Sequence, residues 1–226
     1  MRPIYVVNNF GQFNHLIHRA LRDLDIDVSM IPNSIPPEQI PGECRGIILG
    51  GGPTIERAGN SFRYLDLGLP ILGICLGLHI IAKKFGGDVH QGLRGGYGPV
   101  EVEICEHDDI LCGYPNKINV WASHADEVSR IPAGFTCLAY SSVCGAEAIA
   151  LPDKHIWGFS GTRKSVTHLK ENAFSKILTG SPVNVRARFE QNYMKEPGLR
   201  TNSRITLFCE IIVITQLHRF APPAQK

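Results

Sequence analysis

The sequence predicts an α/β fold with a mostly parallel sheet, helices on both faces of that sheet and a small antiparallel section. In the first half of the chain, short apolar runs alternate with segments whose apolar residues recur at helical spacing. Near-continuous apolar strands separated by helices are typical of parallel strands buried on both faces. At residues 100–104 apolar and polar residues alternate strictly, which is typical of a strand with one solvent-facing side. We therefore place the antiparallel section in the second half.

The predicted elements are four strands and two helices in the first half and five strands in the second. Several of the first strands are followed directly by asparagine, proline or glycine, which favour turns. In chain order, the prediction is a strand at 4–7, a helix at 12–24, strands at 28–31, 46–49 and 69–74, a helix at 78–85, and strands at 100–104, 118–121, 135–140, 148–149 and 156–157.

The composition predicts a soluble, cytoplasmic protein with one domain of ordinary size, or one domain and a tail. Hydrophobic residues make up 43% of the 226 residues and charged residues 19%, which suits a packed core and not a disordered chain. No apolar run reaches the roughly 18 residues of a membrane span, and a strand pattern starts where a signal peptide would lie. The seven cysteines include no CxxC pair, which favours reduced thiols over a zinc site. We expect no membrane partner and no metal.

Charge is unevenly distributed along the chain. Residues 1–158 contain 12 Lys and Arg against 17 Asp and Glu, whereas residues 159–226 contain 11 against 4. The net charge of +2 is therefore the sum of −5 and +7. A basic segment of this kind can indicate a nucleic-acid or membrane partner. The origin that we infer below for this segment requires neither, so we expect no nucleic-acid partner.

A nucleophile motif lies between the fourth predicted strand and the following helix. Gly73-Ile74-Cys75-Leu76-Gly77 has the G-x-nucleophile-x-G pattern, in which small flanking residues allow a sharp turn that exposes the nucleophile. Cys75 would lie at the helix N-terminus, whose dipole favours the thiolate, so we expect a lowered thiol pKa. The backbone N–H of Leu76 would donate into an oxyanion hole, and the Gly51-Gly52 loop offers a second donor. The alternative is that Cys75 is a small core residue beside two packing glycines.

Five segments along residues 3–158 carry a family resemblance. They are Val6-Val7-Asn8-Asn9-Phe10-Gly11-Gln12, Gly50-Gly51-Gly52-Pro53, Pro70-Ile71-Leu72-Gly73-Ile74-Cys75-Leu76-Gly77, Gly95-Gly96-Tyr97-Gly98 and Val120-Trp121-Ala122-Ser123-His124-Ala125-Asp126-Glu127-Val128. Taken together and in this order, they resemble the class I, triad-type glutamine amidotransferases. Within that family the chain is most similar to the separate glutaminase subunit (the A subunit) of the archaeal two-subunit GMP synthetase. The resemblance implies a flavodoxin-like fold.

The resemblance also implies a glutaminase reaction. Cys75 would attack the side-chain amide of glutamine and release ammonia, leaving a glutamyl thioester that water hydrolyses. By position, Gly52 and Leu76 would supply the oxyanion N–H groups. A partner, the ATP-dependent synthetase subunit of a heterodimer, would use ATP and Mg²⁺ to adenylate XMP and would accept the ammonia to give GMP. The glutaminase subunit itself would hold no cofactor.

Further residues take predicted roles from the same resemblance. Gly51 and the pair Ser123-His124 match segments that line the glutamine pocket. His79 lies near a position where many family members have a substrate-contacting glutamine, and it would either replace that contact or point into solvent. Asp126 and Glu127 follow the pocket segment and are candidates for contact with the synthetase subunit. The alternative for both carboxylates is a solvated strand end.

The catalytic base of the family is missing from this chain. Family members end the domain with a strand and then His-Pro-Glu, in which the histidine deprotonates the thiol and the glutamate orients the histidine. Here Ile156-Trp157-Gly158 reaches that place, and Phe159-Ser160-Gly161-Thr162-Arg163-Lys164 follows. His155 lies too early, and His168 lies in a segment that no longer matches. The written chain contains one of the three triad members.

A shifted reading frame accounts for this departure. Codons can be chosen for residues 159–168 that also make sense when the reading starts one base earlier, at the last base of the Gly158 codon. In that frame they encode Val-Gln-Trp-His-Pro-Glu-Val-Ser-His-Thr, which contains the family motif. The same shift through residue 178 allows a sequence suited to a closing helix. We hypothesise that residues 1–158 are the amidotransferase domain. Residues 159–226 would then be an out-of-frame translation that replaces the closing strand, the His-Pro-Glu motif and the last helix. The competing interpretation is an evolved basic extension on a catalytically silent domain.

Three functions follow from these patterns. The first is the glutaminase subunit of GMP synthetase, and the second is a non-catalytic amidotransferase-like binding or regulatory module. The third is the glutaminase component of a different synthase, such as one for anthranilate or aminodeoxychorismate. Residues 121–128 favour the first over the third. Without its base the written chain is expected to hydrolyse little or no glutamine. Without its closing strand and helix it is expected to be poorly stable.

Overall fold

The structure, a computed structural model, describes residues 3–22, 26–40, 42, 44–107, 110–111 and 114–160, with the backbone alone at residues 20, 91–98 and 120–125. The strands within these residues are β1 (Ile4–Asn8), β2 (Val28–Pro32), β3 (Gly46–Leu49), β4 (Ile71–Ile74), β5 (Asp88–Ile104), β6 (Lys117–Arg130), β7 (Thr136–Ser141), β8 (Ala148–Leu151) and β9 (Ile156–Phe159). The helices are α1 (Asn14–Arg22), α2 (Ser61–Tyr64) and α3 (Leu76–Lys84), with 3₁₀ turns at Pro37–Gln39, Ile55–Arg57 and Pro152–Lys154.

The strands form one sheet in the order β2-β1-β3-β4-β9-β8-β7-β5-β6. The pairs from β2 to β9 in this order are parallel, and the pairs from β9 to β6 are antiparallel. Sequential parallel strands need crossover segments, which α1, α2 and α3 and their loops provide. The predicted α/β fold with a parallel sheet and an antiparallel section is therefore confirmed.

Helices cover both faces of the parallel strands. On one face, Ile17 and Leu21 of α1 are buried in a cluster with Val6. On the other face, Leu78 of α3 is buried in a cluster with Val7. Val6 and Val7 are neighbours on β1 and point to opposite faces of the sheet. This two-sided burial explains why β1 has no polar residue between its apolar ones.

The antiparallel strands β5 and β6 are longer than the sequence predicted. Alternation indicated strands only at 100–104 and 118–121, whereas β5 has 17 residues and β6 has 14. The added pairing places Gly96 opposite His124 and Gln91 opposite Asp126, with an irregular register between these pairs. Residues 92–98 are rich in glycine and lack alternating apolar side chains, so this part of β5 leaves no period-two signal.

Strand β9 joins the parallel and antiparallel halves of the sheet. It pairs in parallel with β4 and antiparallel with β8, and all four of its residues are buried. The expectation that the closing strand is replaced is therefore wrong as far as Phe159, because this apolar side chain fills the last buried position of the strand. The positions expected for His-Pro-Glu and the closing helix lie outside the described residues.

Substitution of Trp157 tests the structural role of β9. Trp157 is 1% exposed and belongs to the same buried cluster as Val6 and Ile17. Trp157→Ala would leave a cavity in a close-packed core and should lower the free energy of unfolding by about 3–5 kcal/mol. The control Phe13→Ala removes a ring that is 43% exposed, and should lower it by less than about 1 kcal/mol. Urea unfolding followed by circular dichroism measures both, and equal losses would contradict the assignment of β9 to the core.

Candidate active site

Cys75 occupies a strained turn between β4 and α3. Its backbone has φ 56° and ψ −109°, in the region that favours glycine. A Cβ added to Gly73 would lie 2.5 Å from the carbonyl carbon of Gly77, and one added to Gly77 would lie 2.2 Å from the carbonyl oxygen of Leu49. Both positions therefore exclude a side chain. These features are those of a nucleophile elbow, and they disfavour the alternative of an ordinary core cysteine.

The pKa of the Cys75 thiol is raised, so the predicted lowering is wrong. Burial raises the pKa most, a hydrogen bond from the backbone N–H of Leu76 to the sulfur lowers it, and the Asp126 carboxylate raises it again. The side chain keeps some exposed surface, yet protein atoms surround it closely. Removal of the thiolate from water thus raises the thiol pKa by more than the amide at the start of α3 lowers it. The turn presents the sulfur but does not ionise it.

The glycine loop after β3 lies directly against the elbow. A Cβ on Gly51 would lie 3.8 Å from the Cβ of Cys75. A Cβ on Gly52 would lie 2.2 Å from the backbone oxygen of Asn9 and 2.6 Å from Cδ2 of Leu76. The structure therefore brings together Cys75 and the two residues predicted to donate to an oxyanion, Gly52 and Leu76. Their donor roles stay predictions.

The end of β9 is hydrogen-bonded to the nucleophile. The backbone N–H of Cys75 donates to the carbonyl oxygen of Phe159 at 2.9 Å. The next residue, Ser160, is anchored to Glu147: its N–H donates to the Glu147 carbonyl oxygen at 2.8 Å, and its hydroxyl donates to the Glu147 carboxylate. The hydroxyl of Ser141 donates a second hydrogen bond to this buried carboxylate, at 2.7 Å. The chain thus leaves β9 beside Cys75.

Glu147 was not identified from the sequence. It stands alone among the apolar residues of the β8 region, in Ala146-Glu147-Ala148-Ile149, and no motif surrounds it. Its role as an anchor depends on Ser141 and Ser160, which become neighbours only through the antiparallel pairing.

Two histidines are placed by the structure. His79 is 5% exposed on α3, so the expectation that it points into solvent is wrong. Its backbone N–H donates to the carbonyl oxygen of Cys75 at 3.4 Å, one helical turn after the nucleophile. His155 is exposed and precedes β9, at the opposite end of that strand from Phe159. Four residues of extended chain span about 13 Å, which agrees with the prediction that His155 lies too early.

The predicted pocket residues lie on β6. Ser123 pairs with Tyr97 and His124 with Gly96 in the register with β5. Asp126 is half-buried and lies close enough to Cys75 to add to the effect of burial on the pKa of that thiol.

Glu127, the next residue, is also half-buried and approaches a different thiol. Burial, Glu147 and Glu127 together raise the pKa of Cys144 to about 12. The two adjacent carboxylates thus lie near different cysteines, as expected for neighbours on a strand. Both carboxylates are partly exposed and lie within β6, before its last residue Arg130, and their contact with a partner stays a prediction.

The described residues show neither a membrane-spanning helix nor a metal-binding cluster. In the part of the chain that the structure describes, no helix has the length and apolar character needed to cross a bilayer. Nor do three or more His, Cys, Asp or Glu side chains of the described residues group in a way that could hold a metal ion.

Known proteins resemble this chain closely. It is 70% identical over 158 residues to the A subunit of the glutamine-hydrolyzing GMP synthase of Methanoregula boonei, an alignment that covers 70% of this chain and 86% of that protein. The protein of the same name from Methanospirillum hungatei is 62% identical over 186 residues, which cover 80% of this chain and 98% of the relative. Since 80% of 226 residues is about 181, this second alignment continues past residue 160.

Solved structures show the same similarity. A protein of Thermoplasma acidophilum described as the A subunit of GMP synthase matches with a TM-score of 0.73 and 30% identity, over 80% of this chain and 96% of that one. A glutamine amidotransferase of Thermotoga maritima, 16% identical, shares the fold with a TM-score of 0.61 over 96% of each chain. The class-I glutamine amidotransferase family matches residues 5–159, which include β1, the glycine loop, the Cys75 elbow and β9. The chain belongs to the class-I glutamine amidotransferase family.

Proposed function

We propose that this protein hydrolyses glutamine at Cys75 and supplies the ammonia to an ATP-dependent synthetase subunit that converts XMP to GMP. The observation that carries the proposal is the strained Cys75 turn against the Gly51-Gly52 loop. The names of the curated relatives support the acceptor, because they describe one lettered subunit of a glutamine-hydrolysing GMP synthase. A lettered subunit implies a partner subunit, to which we assign the ATP, the Mg²⁺ and the XMP.

The chemistry divides into two displacements at one carbon. The Cys75 thiol loses its proton to a base, and its sulfur attacks the side-chain carbonyl carbon of glutamine. The resulting oxyanion would accept hydrogen bonds from the N–H groups of Gly52 and Leu76. Collapse breaks the carbon–nitrogen bond, and the protonated nitrogen leaves as ammonia. Water then attacks the thioester, which yields glutamate and restores the thiol.

The substrate would be held around the same sulfur. We assign the glutamine pocket to Gly51, His79 and the Ser123-His124 segment of β6. The Asp126 carboxylate lies near the nucleophile, so it suits the positive α-ammonium group of the amino acid. Glu127 stays a candidate for contact with the synthetase subunit.

Removal of the thiol proton is the step for which the written chain lacks the family residues. After Ser160 and Gly161 the sequence continues Thr162-Arg163-Lys164, at the positions where the shifted frame gives His-Pro-Glu. We propose that residues 159–226 come from a shifted reading frame. The end of the family match at residue 159 supports this origin, whereas the longer alignments to several relatives, which cover 74–80% of this chain, favour a segment that is partly homologous. A DNA read across the codons for residues 155–181 decides between them.

The first prediction concerns activity. The chain as written should show glutamine hydrolysis several orders of magnitude below that of a chain in which the shifted frame restores His-Pro-Glu, because loss of the base disables the nucleophile. In the restored chain, Cys75→Ala should abolish hydrolysis. Glutamate release is measured with and without the synthetase subunit, ATP, Mg²⁺ and XMP.

Several results would contradict the proposal. Cys75-dependent hydrolysis by the written chain at the restored rate would show that the missing base is not needed. A restored chain that is inactive in every combination would favour the non-catalytic binding module. A rate that rises with an anthranilate or aminodeoxychorismate partner, and not with the XMP-activating one, would assign the chain to a different synthase.

The second prediction concerns the thiol itself and applies to the written chain. Asp126→Asn removes a negative charge near Cys75, so the pKa of the thiol should fall and more thiolate should form at a given pH below it. Alkylation of Cys75 by iodoacetamide should accelerate about two- to fivefold at pH 8, since lower nucleophilicity offsets part of the gain. Mass spectrometry of the Cys75 peptide gives the rate as a function of pH.

A matched control is available on the same strand. Glu127→Gln removes the neighbouring carboxylate, which lies near Cys144, and should leave the Cys75 rate unchanged. Equal acceleration in both variants would mean that general charge, and not the position of Asp126, sets the reactivity of Cys75.

A further inference from the structure

Buried asparagines hold the glycine loop that faces Cys75. Asn14 donates from Nδ2 to the carbonyl oxygen of Gly51 at 3.0 Å, and Asn9 donates from Nδ2 to the carbonyl oxygen of Gly50 at 3.2 Å. The two asparagines are 2% and 0% exposed. A hydrogen bond shielded from water is directional and is not replaced by solvent. Each amide therefore restrains one peptide unit of the loop.

The orientation of the Asn14 amide follows from its surroundings. Its Nδ2 lies between two acceptors, the carbonyl oxygen of Gly51 and Oδ1 of Asn8 at 3.1 Å. The reversed amide would place an oxygen against two oxygens, so the donor end must face the loop. Among the described residues, Oδ1 of Asn14 has no hydrogen-bond partner, and it lies 2.3 Å from where a Cβ on Gly50 would be. The hydrogen bonds of this side chain thus come from its donor end.

Asn9 is fixed in the same manner from the other side. Its Oδ1 accepts hydrogen bonds from Nδ2 of Asn33 at 3.1 Å and from the hydroxyl of Ser61 at 2.8 Å. These two donors leave Nδ2 for the carbonyl oxygen of Gly50. The buried network therefore connects β1, the start of α1 and the start of α2 to the loop after β3.

The hydrogen bond from Asn14 to the Gly51 carbonyl oxygen bears on the direction of the Gly52 N–H group. A peptide unit is planar and trans, so the C=O of Gly51 and the N–H of Gly52 point in opposite directions. Glycine has the most rotational freedom of any residue, and three consecutive glycines do not fix these planes by themselves. We propose that Asn14 is a positioning residue for glutamine hydrolysis, whose Nδ2 holds the Gly51-Gly52 peptide so that the Gly52 N–H faces the oxyanion formed on Cys75. This inference rests on the proposed function.

The first test uses the written chain of 226 residues. Asn14→Asp keeps the volume of the side chain and removes its donor when the carboxyl group is ionised, so the spectra are recorded at a pH above its pKa. In nuclear magnetic resonance spectra of protein labelled with ¹⁵N-glycine, the Gly52 amide resonance should shift, because the Gly51-Gly52 peptide plane is no longer held by Nδ2.

The matched control for this measurement is Asn60→Asp. Asn60 also donates from Nδ2 to backbone carbonyls, those of Ser34 and Ile35 at 3.0 and 3.1 Å, outside the glycine loop. This control should leave Gly52 unchanged. An unchanged Gly52 amide in Asn14→Asp would overturn the proposal.

The second test separates positioning from folding and from the proposed function. In the frame-restored chain with the synthetase subunit, Asn14→Asp should lower kcat about 10- to 100-fold and leave KM within about twofold, because an oxyanion donor acts in the transition state. Asn14→Ser, which removes the amide without a charge, should do the same if the aspartate variant folds poorly. Unchanged kcat in an active restored enzyme would overturn this inference alone, whereas no hydrolysis in the unsubstituted restored chain would overturn the proposed function with it.

Discussion

The candidate site depends on the close approach of α3 to the ends of β3 and β4. At Gly77 the helix backbone touches the carbonyl oxygen of Leu49 so closely that no side chain fits, and Gly73 meets the same turn of helix. With the backbone on both sides confined, Cys75 adopts a left-handed conformation that a cysteine otherwise avoids. In this conformation the Cys75 Cβ lies 3.8 Å from where a Cβ on Gly51 would be. Larger residues at either glycine would separate the helix from the sheet and the thiol from the loop.

The burial of Cys75 also raises the pKa of its thiol. Burial removes water from the sulfur, and that loss raises the thiol pKa more than the Leu76 amide at the start of α3 lowers it. Asp126 adds to the effect, although a carboxylate near the sulfur suits an amino-acid substrate. If the site binds glutamine as we propose, it does not favour the thiolate of its own cysteine, and the reaction needs a separate base. This reasoning explains why loss of the base alone would silence an otherwise intact pocket.

Local patterns predicted much of this molecule. The parallel strands and the elbow leave strong signals because β-branched runs and flanking glycines act over a few residues, as in residues 46–52 and 71–77. Features that depend on register were not predicted. The first half of β5 has no apolar period, and Asp126 and Glu147 reach their positions only through antiparallel pairing. Asn14 was missed for a similar reason, since its acceptor on Gly51 lies 37 residues away in the chain. The pKa of Cys75 was mispredicted because helix position alone ignores burial.

The location of the departure from the family pattern explains how fold and chemistry can separate. Trp157 and Phe159 of β9 complete the buried cluster, and the Phe159 carbonyl ties the strand to Cys75. Directly after the strand, the hydroxyl of Ser160 donates a hydrogen bond to the buried carboxylate of Glu147. A change of frame a few codons earlier would remove β9, which joins the two halves of the sheet, and with it much of the core. A change after Gly158 can leave β9 in place, because Phe159 supplies an apolar side chain there, while it deletes the base that must follow. Under the proposed origin of residues 159–226, the domain therefore keeps β9 and loses the base that must follow it.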